Sequence, residues 1–195
     1  MNIRILEELE LGQASGLSRY VFDTRLRNRM EFTQTIPFVE DYISEVNLRA
    51  MCRENKLILW GAFEQEQLVG VVGLQTDGMI TLLYVLPQYA GRNCGMRLLQ
   101  AMREYAQNTL HLEKIVVNAT PAWTAGYFYK QGFSTVNVNP NMRVPFLPMH
   151  SILKNMKFHQ KEKVSGKTIV GAVLACVGFA TIVSSWFMIS YLFGM

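Results

Sequence analysis

The segment at residues 80–99 constrains the fold more than any other part of this 195-residue chain. It begins with an apolar run typical of a strand, which Pro87 ends, and continues through a turn of small residues at positions 89–95. From Met96 onward, the apolar residues recur at helical spacing. A strand, a glycine-bearing turn and a helix N-terminus in this order present unpaired N–H groups to an anion such as phosphate.

The positive charge of the chain is concentrated in one short segment. Residues 154–167 contain five lysines and one glutamate, which account for the whole formal net charge of +4. The rest of the chain is balanced, which argues against a nucleic-acid-binding body, because such a body needs a basic face. The cysteines Cys52, Cys94 and Cys176 are far apart and lack metal-ligand spacing, so we expect a reduced compartment and no metal site.

Residues 168–193 contain no charged side chain and are predicted to form a transmembrane helix. At about 1.5 Å per residue this helix is roughly 39 Å long, against a hydrocarbon core of about 30 Å. The lysines before it predict a tail anchor with the N-terminal body in the cytoplasm and a basic linker (157–167) near membrane lipid. A buried core helix is the alternative. The stripe Gly171, Ala175 and Gly178 would permit a dimer through the span, or is ordinary membrane-helix composition.

The body at residues 1–156 is predicted to be one α+β domain. Apolar runs predict strands over residues 2–6, 56–64, 67–75, 80–86, 113–118, 133–138 and 149–156. Helical spacing predicts helices over residues 12–28, 38–55, 95–108 and 121–131. Gln65 and Glu66 separate two of the runs and indicate an antiparallel hairpin. We therefore expect a mixed, mainly antiparallel sheet flanked by helices, with the transmembrane helix after it.

Two stretches resemble a known family. LYVLPQYAGRNCGMRLL resembles the pyrophosphate-binding motif of the GNAT superfamily of acetyl-CoA-dependent N-acetyltransferases, and AGYFYKQGF resembles the acyl-CoA-contacting helix and following strand of its histone-type members. The likeness covers residues 2–156 and implies a GNAT-like fold, acetyl-CoA as co-substrate and an amine acceptor. Ala90 stands where the family usually has Arg or Gln, and Asn93 replaces the middle glycine of the motif.

The resemblance also implies where the co-substrate binds. Tyr84, Val85 and Leu86 would offer backbone groups to the pantetheine arm, and Asn118 would bond that arm where the next strand splays away. Tyr127 would lie close to the thioester. The pyrophosphate would be surrounded by the turn residues Gly91, Arg92, Asn93, Cys94, Gly95 and Met96.

Amide formation from a thioester needs a neutral amine, a polarised carbonyl and a proton for the leaving thiolate. Many family members use a tyrosine as the acid at the position that Phe128 occupies here. Tyr127 and Tyr129 flank it and are the candidate acids, with packing in the core or on the cofactor as the alternative role of either. His150, on the last predicted strand near the expected acceptor cleft, is a candidate base or an ordinary strand histidine.

Several other residues have a functional and a plain interpretation. Thr81 on the central strand could only order a water molecule. Glu31 and Glu40 lie in the helical region that usually forms the acceptor wall, or are surface charges. Cys94 adjoins a predicted helix N-terminus, which lowers a thiol pKa, but is also a suitable small turn residue. Three arginines either favour an acidic acceptor or form a solvated helix face: Arg25, Arg27 and Arg29.

These observations favour a membrane-tethered N-acetyltransferase that transfers acetyl directly from acetyl-CoA to an amine. The alternative is a catalytically degenerate domain that binds acyl-CoA or docks a partner at the membrane. Ala90, Asn93 and Phe128, together with a central strand that lacks a carboxylate, motivate that alternative. A membrane protein, a lipid-linked amine, a peptide and a small polyamine all remain open as the acceptor.

Overall fold

In a computed structural model, residues 1–30, 32–136 and 146–153 are described, and they form one seven-stranded sheet with helices on both faces. The strands are β1 (Asn2–Ile5), β2 (Leu57–Glu64), β3 (Gln67–Gln75), β4 (Met79–Val85), β5 (Lys114–Ala119), β6 (Ser134–Thr135) and β7 (Leu147–Ile152). The α-helices are α1 (Leu11–Val21), α2 (Ile36–Tyr42), α3 (Glu45–Arg53), α4 (Cys94–Asn108) and α5 (Ala125–Lys130).

The predicted membrane anchor lies outside the described residues. Within the three described ranges, no helix is both long and apolar enough to cross a bilayer. The predicted span at residues 168–193, the linker at 157–167 and the domain boundary at residue 156 therefore stay predictions.

The sheet is mixed but mainly antiparallel, as predicted. Its strands lie in the order β1-β2-β3-β4-β5-β7-β6, and every neighbouring pair is antiparallel except β4 and β5. The predicted hairpin is confirmed, because Gln65 and Glu66 form the turn between β2 and β3 with positive φ values of 47° and 65°. Such left-handed pairs suit the twist of a two-residue hairpin.

Helices cover both faces of the sheet, which explains why its central strands are apolar at nearly every position. Val69 and Val72 of β3 pack on one face with α4 and α5, whereas Val71 packs on the other with α1, α2 and α3. A strand buried on both faces gives a continuous apolar run rather than an alternating one. The stripe predicted for α4 is buried as expected, and comprises Leu98, Leu99, Met102 and Ala106.

The helix predicted over residues 38–55 is wrong in one respect, because the chain forms two helices there. α2 ends at Tyr42, and α3 begins after Ser44, whose hydroxyl accepts a hydrogen bond from the Asn47 N–H at 3.3 Å. Serine is a preferred N-cap because this bond satisfies a donor that the helix leaves unpaired. No glycine or proline marks the break, so the helical spacing of the apolar residues predicted one continuous helix.

Four other predicted elements are shorter or shifted. The first helix gives way after α1 to one π-helical turn, Phe22–Leu26, and the helix predicted over residues 121–131 begins as a 3-10 turn, Ala122–Thr124. β6 has only two residues, and positions 137–138 of its predicted range lie outside the described residues. β7 starts two residues earlier than predicted and includes Pro148, since the missing N–H of a proline is tolerated near the start of a strand.

The parallel pairing of β4 with β5 is unusually short. Only Met79 with Val116 and Ile80 with Val117 are paired, although both strands continue beyond these residues. Thr81 is an extra residue opposite β3, because Gly73 pairs with Leu82 while Leu74 pairs with Ile80. Such a bulge bends its strand. β4 and β5 therefore diverge after their second pair and leave a gap at their carboxyl ends.

The capping bond at the start of α3 should be measurable. Ser44→Ala should lower the free energy of unfolding by about 1 kcal/mol and the melting temperature of the full-length chain by roughly 2–4 °C. Val46→Ala is the matched control in the same helical turn, because Val46 is 80% exposed, and it should change stability by less than about 0.5 kcal/mol. Equal melting temperatures for Ser44→Ala and the parent would contradict the assignment.

Candidate active site

The candidate site begins at the edge of β4 that faces the gap. The Leu86 N–H donates to the Val69 carbonyl at 2.9 Å, and the Leu86 carbonyl accepts from Tyr89 at 2.9 Å, so both backbone groups of Leu86 are used within the chain. Backbone groups alternate in direction along a strand, so those of Val85 and Leu83 point away from β3 and toward the gap. The sequence predicted that three consecutive residues, Tyr84, Val85 and Leu86, offer backbone groups to the ligand. It therefore missed Leu83, because only every second residue of the strand faces the gap.

The turn after β4 has an unusual backbone. Gly91 and Asn93 have φ values of 77° and 61°, which are left-handed. Apart from the two neighbouring residues in the chain, nothing lies within 4 Å of the position that a Cβ would take on Gly91, so the glycine is explained by its backbone and not by crowding. Asn is among the few other residues that adopt this conformation readily. The replacement of glycine by Asn93 therefore preserves the turn.

The N-terminus of α4 opens from this turn with its donors uncapped. The side chain of Asn93, the N-cap residue, makes no capping hydrogen bond, and the Asn93 carbonyl bonds the N–H of Arg97. Helix geometry then leaves the N–H groups of Cys94, Gly95 and Met96 without a carbonyl in the helix. These donors and the positive end of the helix dipole are features that favour an anion, and the anion site predicted for this segment stays a prediction.

Cys94 is a packing residue and not an activated thiol. Its Sγ lies against Gly70 of β3, where an added Cβ would be only 2.9 Å away. Burial raises the pKa of the Cys94 thiol to about 11, although Arg97 acts in the opposite direction. The lowered pKa expected beside a helix N-terminus is therefore wrong here, because burial of the thiol raises its pKa.

Tyr127 meets the first turn of α4. Its hydroxyl oxygen would lie 2.8 Å from a Cβ placed on Gly95, and Val85 Cγ2 would lie 3.8 Å from the same point. The Tyr127 ring contacts the Phe128 ring edge-on, with 5.5 Å between centroids. Phe128 itself is fully buried in the core. The structure thus brings together Val85, Gly95 and Tyr127, three of the predicted site residues.

The other predicted site residues are more widely spread. Asn118 is buried and is the first residue of β5 beyond the pairing with β4, so it lies at the start of the gap. Tyr129 is 49% exposed. His150 is partly buried on β7, opposite Val116, and therefore lies level with the closed end of the β4–β5 pairing.

The polar groups nearest the bulge in β4 give no obvious base. Thr81 is fully buried, and its hydroxyl has no hydrogen-bond partner in the described part of the chain, whereas the Tyr42 hydroxyl accepts a weak bond from Gln75 at 3.4 Å. Burial raises the pKa of Tyr42 to about 12, so its phenol stays neutral at physiological pH. Among the described residues, no group of His, Cys, Asp and Glu side chains could hold a metal ion.

The arginine-rich segment after α1 reaches the open end of β5. Arg27 forms ion pairs with Asp23 at 2.7 Å and with Glu40. Glu40 is therefore paired on the surface, whereas Glu31 lies outside the described residues. The guanidinium of Arg29 lies 5.8 Å from the ring centroid of Trp123, which follows β5 and is 43% exposed. Trp123 is a residue at the mouth of the gap that sequence reasoning missed.

Comparison with protein families matches residues 30–153 to the acetyltransferase (GNAT) domain. Because this match covers more than half of the chain, the chain belongs to the GNAT family of acetyltransferases. The prediction of an N-acetyltransferase with acetyl-CoA as its co-substrate is confirmed by this membership. A search of curated proteins finds no match.

Several solved structures share the fold. PaiA N-acetyltransferase from Thermoplasma acidophilum, in complex with coenzyme A, is 18% identical with a TM-score of 0.62, over 78% of this chain and 99% of its own. A GCN5-related N-acetyltransferase from Rhodopseudomonas palustris is 19% identical with a TM-score of 0.65, over 77% and 94%. A mutant of the spermidine N-acetyltransferase SpeG from Vibrio cholerae is 18% identical with a TM-score of 0.51, over 78% and 95%. At these identities the likeness concerns the fold alone.

The contact between Tyr127 and Gly95 predicts a rescue by double substitution. Gly95→Ala should lower the melting temperature, because its methyl group would collide with the Tyr127 hydroxyl. Adding Tyr127→Phe removes that oxygen and should recover most of the loss, with an interaction energy of about 1–2 kcal/mol.

Gly126→Ala is the matched control for this double substitution. Outside its chain neighbours and the backbone of its own helix, no atom lies within 4 Å of the position its Cβ would take, so this substitution should not destabilise the chain. A double variant that melts no higher than Gly95→Ala alone would contradict the contact.

Proposed function

We propose that the chain transfers the acetyl group of acetyl-CoA directly to the nitrogen of an amine, with the thioester held in the gap between β4 and β5. One observation carries the proposal. The uncapped N-terminus of α4, the gap-facing backbone of Val85 and the ring of Tyr127 converge at one open end of the sheet. CoA joins a pyrophosphate to a pantetheine arm that carries amides. A helix N-terminus beside a cleft lined by strand edges suits the two parts of such a ligand.

The pyrophosphate would be held by the first N–H groups of α4. Arg92 is exposed and lies 5.5 Å over the ring of Tyr89, so it would supply the cation that the family usually places at the position of Ala90. The pantetheine arm would then follow the edge of β4, where the backbone groups of Leu83 and Val85 are available for hydrogen bonds. The side-chain amide of Asn118 would approach the arm from β5.

The transfer needs one proton at sulfur and releases one at nitrogen. The amine nitrogen attacks the thioester carbonyl carbon, the carbon–sulfur bond breaks, and an amide and the CoA thiol result. We assign the acid role to Tyr127, because a tyrosine phenol, whose ordinary pKa is about 10, matches a thiolate of similar basicity. The proton that leaves the nitrogen returns through water to the phenolate. Tyr129 and His150 stay weaker candidates, since neither belongs to the group around Gly95.

We also propose that the acceptor enters as the free amine, and that no side chain takes its proton directly before water carries it to the Tyr127 phenolate. β4 carries no carboxylate, Thr81 is buried, and the raised pKa of Tyr42 makes it a poor base. At the mouth of the gap, Arg29 and Trp123 would favour an acceptor with an acidic or aromatic group beside its amine.

The membrane tether is a further part of the proposal. The uncharged stretch at residues 168–193 and the five lysines before it support a tail anchor with residues 1–153 on the cytoplasmic face. We expect the full-length chain to stay with membranes through alkaline carbonate extraction, and a chain that ends at residue 167 to be released. Release of the full-length chain by carbonate would contradict the tether.

The alternative is a domain that binds acyl-CoA without turnover, and the departures at Ala90 and Phe128 favour it. Acetylation of an amine panel, from acidic peptides to spermidine, by the detergent-solubilised full-length chain separates the two functions. We expect turnover that falls about a hundredfold in Tyr127→Phe, because a positioned acid contributes on that order, while Tyr129→Phe stays close to the parent.

Calorimetry with CoA on the same preparations keeps the outcomes distinct. CoA binding without transfer to any amine would favour the binding module. An absence of binding at millimolar CoA would contradict both functions.

A further inference from the structure

Arg103 on α4 is a buried cation that the proposed chemistry does not use. Only 8% of its surface is exposed, and no carboxylate among the described residues forms an ion pair with it. Burial lowers the pKa of its guanidinium. Proteins rarely bury an arginine without a carboxylate partner, because removing the charge from water is costly. The position therefore requires another explanation.

The contacts of Arg103 fasten α4 to the end of α5. Its Nη2 donates to the Gln131 carbonyl at 2.6 Å, at the helix end where the dipole is negative. The Gln131 N–H in turn donates to the carbonyls of Tyr127 at 3.2 Å and Phe128 at 2.9 Å. The guanidinium also lies 4.8 Å from the ring centroid of Phe133. The Nε–H of Arg103 has no hydrogen-bond partner in the described part of the chain, so these contacts leave one donor of the guanidinium unused.

A row of rings leads from Arg103 to the candidate acid. Phe133 meets Phe128 edge-on at 5.3 Å, and Phe128 meets Tyr127 edge-on at 5.5 Å. A negative charge on the Tyr127 phenol would raise the pKa of the Arg103 guanidinium and so oppose the effect of burial. Three other charged or titratable side chains lie nearby. Arg97 acts to lower the pKa of Cys94, and Tyr129 and Lys130 are exposed on α5.

We propose that Arg103 is a positioning residue for Tyr127: its bond to the Gln131 carbonyl fixes the end of the short helix α5 against α4, and its charge acts on the phenol. Its catalytic consequence rests on the proposed acid role. When the O–H proton of Tyr127 passes to the sulfur of the departing thiolate, a phenolate is left, and a nearby cation in a dry environment stabilises it. The proton from the acceptor nitrogen then restores the phenol.

The ionisation of Tyr127 can be measured without turnover. The ultraviolet absorbance of phenolate is titrated in the full-length chain and in Tyr127→Phe, and the difference is the curve of Tyr127. Arg103→Gln keeps a donor for the Gln131 carbonyl but removes the charge, so the midpoint should rise by about half a unit to one unit. Arg103→Lys keeps the charge and should restore most of the shift.

Lys130→Met is the matched control, because it removes one positive charge from the exposed end of the same helix. It should leave the Tyr127 midpoint unchanged. A merely structural Arg103 would lower the melting temperature in Arg103→Gln without moving the midpoint, and that result would overturn the proposal.

If Arg103→Gln does not fold, a second measurement on the parent chain tests the proposal. The titration midpoint of Tyr127 is compared with that of the exposed Tyr129, which is obtained in the same way from Tyr129→Phe. The Tyr127 midpoint should be no higher. A higher Tyr127 midpoint would overturn the proposal. Because neither titration needs an acceptor, failure of the acetyl-transfer assay would count against the proposed function and not against the effect of Arg103 on the ionisation of Tyr127.

Discussion

The two residue pairs that join β4 to β5 are the constraint on which the site depends. They hold the sheet together as one body, and the gap exists because the pairing stops after Ile80 and Val117. β3 continues to hold β4, and β7 continues to hold β5, so each wall of the gap stays rigid. An unpaired strand edge still has to satisfy its backbone groups. The pantetheine arm of CoA carries amides, so it could hydrogen-bond these backbone groups by lying between the strands, much as an added strand would.

The N-terminus of α4 is held at the mouth of this gap by packing from both sides. Cys94 fills the space beside Gly70 of β3, and Gly95 lies under the Tyr127 hydroxyl. Asn93, with its left-handed backbone, directs the chain into the helix, and its side chain accepts no hydrogen bond from the first N–H groups of α4. The start of α4, the gap and the candidate acid are therefore one packed unit, and Asn93 keeps the left-handed backbone that a glycine would adopt at this position.

The sequence predicted the elements whose signal is local and missed the contacts that are not. Long apolar runs located β3 at its observed bounds, and the start of α4 was placed within one residue. The break at Ser44 was missed because a capping serine interrupts no apolar spacing. The thiol pKa of Cys94 was expected to fall with the helix dipole, but burial against β3, which is distant in the sequence, raises it. The contact of Tyr127 with Gly95 is likewise set by tertiary packing.

Hydrogen–deuterium exchange of the full-length chain, with and without CoA, tests the central claim most directly. If the start of α4 holds the pyrophosphate and the edge of β4 holds the arm, CoA should slow exchange of the amides at residues 91–96 and at Val85. Pantetheine, which lacks the pyrophosphate, should protect Val85 far more than residues 91–96. Unchanged exchange in both regions at saturating CoA, or protection confined to another surface, would contradict the account.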